Sequence, residues 1–162
     1  MNSSAKEIIS PFEKLLADLT GSGVDYAVVG GVAVIANGYA RLTEDLDLLV
    51  ADSRENLLKL LTVLGRFGEG HARELTPEDF PRQEGAIRIM EDFDLDIFTL
   101  IRGRTLDDFR TGLRRCELMT FSFHHLAPQH LIELKQGSWR EKDQLDVLAM
   151  REILQREGDG LP

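Results

Sequence analysis

Residues 28–50 read VVGGVAVIANGYARLTEDLDLLV, and this stretch decides how the chain is expected to fold. The run from Tyr26 to Val29 is short, rich in β-branched residues and stopped by Gly30-Gly31, which predicts a buried strand. A short helix is expected from Val32 to about Asn37, closed by Gly38, and then a second strand over 45–50. Asp45 and Asp47 are separated by one residue in that second strand. The period of two therefore puts both carboxylates on one face, with Leu46 and Leu48 on the other. Paired carboxylates suit a hard divalent cation, which takes oxygen ligands and shares them with substrate phosphates. Glycines at a strand-to-helix turn let backbone amides come close to a phosphate. Thirteen residues lie between Gly31 and Asp45, a spacing that brings the two features to one place. Each feature alone is also explained by solvent-facing acids or by a tight turn.

Upstream, Ile8, Ile9, Phe12, Leu15, Leu16 and Leu19 recur at helical spacing from residue 5 to about 20. Pro11 falls inside this run, so the helix is expected to begin properly at a Ser10 cap. Downstream, residues 53–67 read as a helix capped by Ser53, and 68–85, rich in Gly, Pro and charge, as a loop or weak hairpin. AIRIM and DLDIFTLI are strand-like on either side of Glu91-Asp92, and the second carries Asp94 and Asp96 in the same one-apart arrangement. Residues 102–115 hold five arginines against two aspartates, a patch for something anionic or a set of ion pairs with neighbouring acids. LMTFSFHHL is read as a strand, a helix is expected from Pro128, and a long final helix should end near Gly158. Trp139, between these two helices, is expected to anchor packing, and the four histidines are read as surface or packing residues.

The chain has 162 residues and is 43% hydrophobic, enough for one core without staples. The expected division is one domain over 1–157 and a flexible tail over 158–162. Twenty-eight acidic against 19 basic residues give a net charge of −9, which argues against coating bulk duplex DNA. One cysteine excludes an intrachain disulfide and a Cys-rich zinc site. The N-terminus lacks a long apolar stretch, and no run is long enough to cross a membrane. A cytoplasmic protein is expected.

The segment 23–50 resembles the signature of nucleotidyltransferases with the DNA polymerase beta fold. Within that superfamily it is most similar to the minimal bacterial group that includes abortive-infection toxin (AbiEii-like) nucleotidyltransferases. Gly30, Gly31, Gly38, Arg41, Thr43, Asp45 and Asp47 match that group's pattern in order. Its third carboxylate, on a later strand, matches Asp96 in LDIF, with Asp94 as nearest competitor. Lys135, Arg140, Lys142, Asp143 and Asp146 fit the group's closing helix pair, and for the last three a surface salt-bridge face is an equal reading. The middle region, 66–92, matches nothing in the group.

The resemblance implies an α/β (α+β) fold, a mixed twisted sheet flanked by helices. It also implies metal-dependent transfer of a nucleoside monophosphate from a nucleoside triphosphate to a hydroxyl acceptor, which could be protein, RNA or a small molecule. Asp45, Asp47 and Asp96 would be the catalytic and metal-binding residues, for Mg2+ or Mn2+. Gly30, Gly31, Arg41, Thr43 and Lys135 would bind the nucleotide. A toxin-antitoxin or phage-defence setting with a cognate partner protein comes with the resemblance. The alternative is a catalytically silent module of the same fold that binds a partner protein. A phosphatase built on an Asp-x-Asp nucleophile pair would require Thr or Val at position 49, which is Leu.

Overall fold

Carboxylates alternate with leucines over 45–48, and the computed structural model, which describes residues 2–160, turns that alternation into the centre of a sheet. Leu46 and Leu48 are fully buried while Asp45 and Asp47 are partly exposed. The strands are β1 (Tyr26–Val29), β2 (Asp45–Val50), β3 (Ile87–Met90), β4 (Asp94–Phe98), β5 (Leu113–Glu117) and β6 (Ser122–Leu126). They form one mixed sheet of order β3-β4-β2-β1-β6-β5. β2 runs antiparallel to β1 and parallel to β4, so Asp45 lies beside Asp94 and Asp47 beside Asp96. β1 and β2 are buried along most of their length because helices cover the sheet, as strands inside a mixed sheet require.

The helices are α1 (Ser3–Ile9), α2 (Glu13–Gly21), α3 (Gly30–Ala36), α4 (Arg54–Gly65), α5 (Leu106–Phe109), α6 (Pro128–Lys135) and α7 (Glu141–Gly158). Val32 to Ile35 of α3 are all buried, and they join Leu15, Leu16 and Leu19 of α2, Leu60 of α4 and the leucines of β2 in a continuous apolar core. The α/β expectation holds. Among the described residues no helix is long and apolar enough to cross a membrane.

Three local expectations are corrected. The first helical run starts earlier than Ser10: Asn2 caps α1 by accepting from the Ala5 amide at 2.8 Å, and a 3-10 turn over Ser10–Phe12 carries Pro11 into α2. Ile9 and Phe12 flank the proline and are buried, so tertiary packing outweighs the one backbone bond that proline removes. The strand read across 118–126 starts at Ser122, because Leu118–Phe121 forms a hairpin turn closed by a 2.9 Å bond from the Leu118 amide to the Phe121 carbonyl. Its partner β5 had been read only as part of the arginine-rich stretch. An edge strand tolerates such charge, which hides its period-two signal. The end of α7 agrees with the reading, and of the tail expected over 158–162, residues 161 and 162 lie outside the described residues.

Candidate active site

The expected site residues meet at one end of the sheet, where β1 finishes and both β2 and β4 begin. Gly30 leaves β1 with φ +65 and opens α3. A Cβ there would press into Asp47, with its Cγ at 2.8 Å, so only glycine lets the Asp47 carboxylate lie over the turn. Gly31 faces the returning loop: a Cβ on it would lie 2.9 Å from Arg41 Nη2 and 3.0 Å from Thr43 Oγ1. Thr43 closes the approach to β2, its hydroxyl donating to the Asp45 carbonyl at 3.3 Å.

The carboxylates crowd as the register demands. Burial, then the charges of Asp96 and Asp45, push the Asp47 carboxyl up to about 7, and Lys135 and Lys142 only partly offset this. Asp96 is buried and held from the sheet edge, where Arg88 of β3 donates Nε and Nη2 to its two oxygens at 2.8 and 2.9 Å. Asp94 stands 3.6 Å from the same guanidinium. In the register Asp96 is the carboxylate beside Asp47, and Asp94 lies beside Asp45. Among the described residues no three acidic, His or Cys side chains converge into a ready-made metal cage. Asp45 and Asp47 nevertheless offer oxygen donors on one face, and a cation sharing them with phosphates needs no closed cage.

The basic side is assembled by a residue that sequence left as an equal choice between surface and site. Asp146 of α7 is wholly buried and accepts from Arg41 Nε at 2.7 Å, Arg41 Nη2 at 2.9 Å and Lys135 Nζ at 3.0 Å. Lys135 also donates to Asp143 at 3.1 Å. Burial opposes ionisation of Asp143, but its bonds from Ser138 and Lys135 hold it below the usual carboxylate range. One buried carboxylate therefore ties together the Gly31-facing loop, α6 and α7. Arg88 was missed altogether, although a hairpin that pairs Met90 with Asp94 necessarily puts Arg88 opposite Asp96.

Other expectations resolve plainly. All five arginines of 102–115 are engaged. Arg102 donates to the Glu133 and Gln136 carbonyls near the end of α6, Arg104 pairs with Glu133, Arg110 with Asp25 and Asp107, Arg114 with Glu157, and Arg115 with Glu117. His125 is buried in β6, and that burial pushes its imidazole down to about 4, as befits a packing histidine. Trp139 does not pack: it is 89% exposed.

No protein-family model matches the chain, and no curated protein matches it in sequence. Its fold is similar to that of the lincosamide antibiotic adenylyltransferase LnuA in a lincomycin-bound crystal structure. The TM-score is 0.64 at 14% identity, over 89% of this chain and 96% of that one. It is also similar to TM1012 of Thermotoga maritima, described as a nucleotidyltransferase, with TM-score 0.55 at 15% identity over 95% and 94% of the two chains. These likenesses establish the architecture, and the chain has the fold of the nucleotidyltransferases.

Proposed function

We propose that the chain is a nucleotidyltransferase that moves a nucleoside monophosphate from a nucleoside triphosphate to a hydroxyl acceptor and releases pyrophosphate. The observation that carries this reading is the Asp45/Asp47 pair at the start of β2, with Asp47 lying against the glycine turn that ends β1 and Asp96 beside it in the register of β4. Asp45 and Asp47 would hold magnesium or manganese, with Asp96 completing the set, and the ion when bound would neutralise phosphate charge. The unrelieved repulsion around Asp47 and the oxygen-only donors fit such a hard cation. Gly30 and Gly31 offer backbone amides to the triphosphate, with Thr43 shaping the loop beside them. Arg41 and Lys135 supply positive charge on the same side, at positions set by Asp146. Asp96, once Arg88 releases one of its oxygens, takes the proton of the acceptor hydroxyl as the hydroxyl oxygen bonds to the α-phosphorus, and the bond to the leaving oxygen breaks with its electron pair on pyrophosphate.

The acceptor side favours a small molecule or a protein hydroxyl over RNA. An open groove of about 550 Å3 adjoins the centre, lined by Thr43, Glu44, Glu91, Asp92, Phe93 and Asp94, and its acids repel a phosphate backbone. Membership of the abortive-infection group is supported by the Gly30 to Asp47 order and by Lys135 and Asp143 joining the buried Asp146 in one network, and a cytoplasmic setting and a cognate partner would follow from that membership. The test supplies each of the four nucleoside triphosphates, labelled at the α-phosphate, with Mg2+ or Mn2+ and with total RNA, lysate protein or lysate small molecules. Pyrophosphate release with label leaving the nucleotide, abolished by Asp47→Asn, is expected. Absence of both release and nucleotide binding under all conditions would leave the silent-module alternative.

A further inference from the structure

The turn between α6 and α7 displays the chain's single tryptophan, and Trp139 is 89% exposed. Leaving an indole in water forgoes the gain of burying a large aromatic ring, so a side chain displayed this way asks for an occupant. The backbone beneath it is held firmly. Ser138 Oγ donates to Asp143 at 2.8 Å and accepts from the Arg140 amide at 3.2 Å, and Gln144 Nε2 donates to the Ser138 carbonyl at 3.2 Å. Ser138 and Asp143 belong to the Lys135–Asp146 network, which fixes the turn to the side that faces Gly31. Two exposed cations follow the indole in sequence, Arg140 and Lys142, and neither side chain forms an ion pair or hydrogen bond among the described residues, unlike the five engaged arginines of 102–115. Lys142 and Lys135, on either side of the turn in sequence, both act electrostatically on Asp47.

A flat aromatic face followed in sequence by Arg140 and Lys142, on a turn tied through Lys135 and Asp146 to the Arg41 that faces Gly31, matches one ligand chemistry, a nucleotide with its base stacked and its phosphates paired. A protein-docking tryptophan would instead sit amid an apolar ring, whereas the residues next to this one in sequence are Ser138, Arg140, Glu141 and Lys142, and the exposed apolar side chains of α7, Leu145 and Leu148, come only further along the helix. We propose that Trp139 is the nucleobase platform of the donor site, stacking on the base of the nucleoside triphosphate while Arg140 and Lys142 meet its outward phosphate or ribose oxygens. The assignment rests on the nucleotidyl-transfer reading and adds to it a preference for purines, whose larger ring system overlaps the indole more fully.

Being the only tryptophan, Trp139 reports its own occupancy. Its emission is followed while ATP, GTP, CTP, UTP or inorganic tripolyphosphate is titrated with and without Mg2+, and calorimetry measures binding independently. Nucleotides should quench the emission, purines most, whereas tripolyphosphate should displace nucleotide without quenching. Trp139→Ala should weaken nucleotide binding about tenfold and level purines with pyrimidines, with tripolyphosphate binding unchanged; Trp139→Phe should keep most of the affinity. Nucleotide that binds by calorimetry with unchanged emission and with equal affinity for Trp139→Ala overturns the platform and leaves nucleotidyl transfer standing. A parent that self-associates in the ultracentrifuge through Trp139, with nucleotide affinity indifferent to its removal, overturns the platform in favour of an interface. If the folded parent binds no nucleotide at all, the underlying reading falls, and the platform with it.

Discussion

Asp47 carries the largest electrostatic cost in the candidate site, and its pH dependence exposes it. Its ordinary value is 3.8, and in the folded chain burial with the charges of Asp96 and Asp45 raises it to about 7. Between those values the native state binds more protons than the unfolded state, so this group's contribution to stability falls as pH rises and is at its least favourable above 7. Asp47→Asn should therefore stabilise the metal-free protein by about 2 kcal/mol at pH 8, a rise in Tm of roughly 4–8 °C, and change little at pH 4. It should also abolish any Tm increase caused by Mg2+ in the parent. Thermal melts at both pH values decide the matter, and an equal gain at each would mean that Asp47 is not the strained group. The opposite sign belongs to Gly30→Ala. A Cβ at φ +65 against Asp47 costs backbone strain and displaces the carboxylate, so about 2 kcal/mol of stability should be lost together with the Mg2+ response.

Elements explain both what could be read from the sequence and what could not. β1, the glycine turn, β2 and the strand character of β3 and β4 were readable because buried strands advertise themselves by period and by the glycines that stop them, while a hairpin and one bulged strand were equal readings of β3 and β4 until their pairing was seen. The carboxylate pairs were readable for the same reason, since alternation alone puts Asp45 with Asp47 and Asp94 with Asp96. What sequence could not supply was which side chains neutralise one another across elements far apart in the chain. Arg41 meets Asp146 across 105 positions, and Arg110 meets Asp25 across 85. Trp139 failed for a related reason: an aromatic between two helices is usually packing, and only the turn's own hydrogen bonds turn this one outward. The α6–α7 pair is consequently an electrostatic unit. Asp146→Asn leaves two partly buried cations facing a neutral amide and should cost about 3 kcal/mol. If it also frees Arg41 and Lys135, nucleotide affinity should fall in Asp146→Asn at temperatures well below its melting point. A variant that melts early yet binds nucleotide as the parent does would make Asp146 purely a fold residue.

Across the whole molecule, charge is partitioned around the carboxylates. Lys135, Arg140 and Lys142 lie on the α6–α7 side, with Arg41 joined to them through Asp146, while Glu44, Glu91, Asp92 and Asp94 line the groove on the β4 side. On the proposed reading, donor phosphates would meet the basic side and an acceptor the acidic groove, with Thr43 at the border of the two. The arginine-rich stretch lies outside this division because its charges are consumed within the fold: Arg104 lies over Phe109 at 4.1 Å and pairs with Glu133, and Arg110 bridges Asp25 and Asp107. With a net charge of −9 and that patch neutralised, the chain should show no salt-dependent RNA binding near physiological ionic strength. Arg104→Glu with Arg110→Glu should act on stability instead. The two new carboxylates face Glu133, Asp25 and Asp107, and because these pairs are partly exposed the loss should be about 1–2 kcal/mol and should shrink as salt rises. Gel-shift titrations of parent and double variant across a salt series, beside thermal melts, separate the two roles. RNA retained by the parent at low salt, released at high salt and lost in the double variant would return the arginines to an acceptor site and overturn the partition.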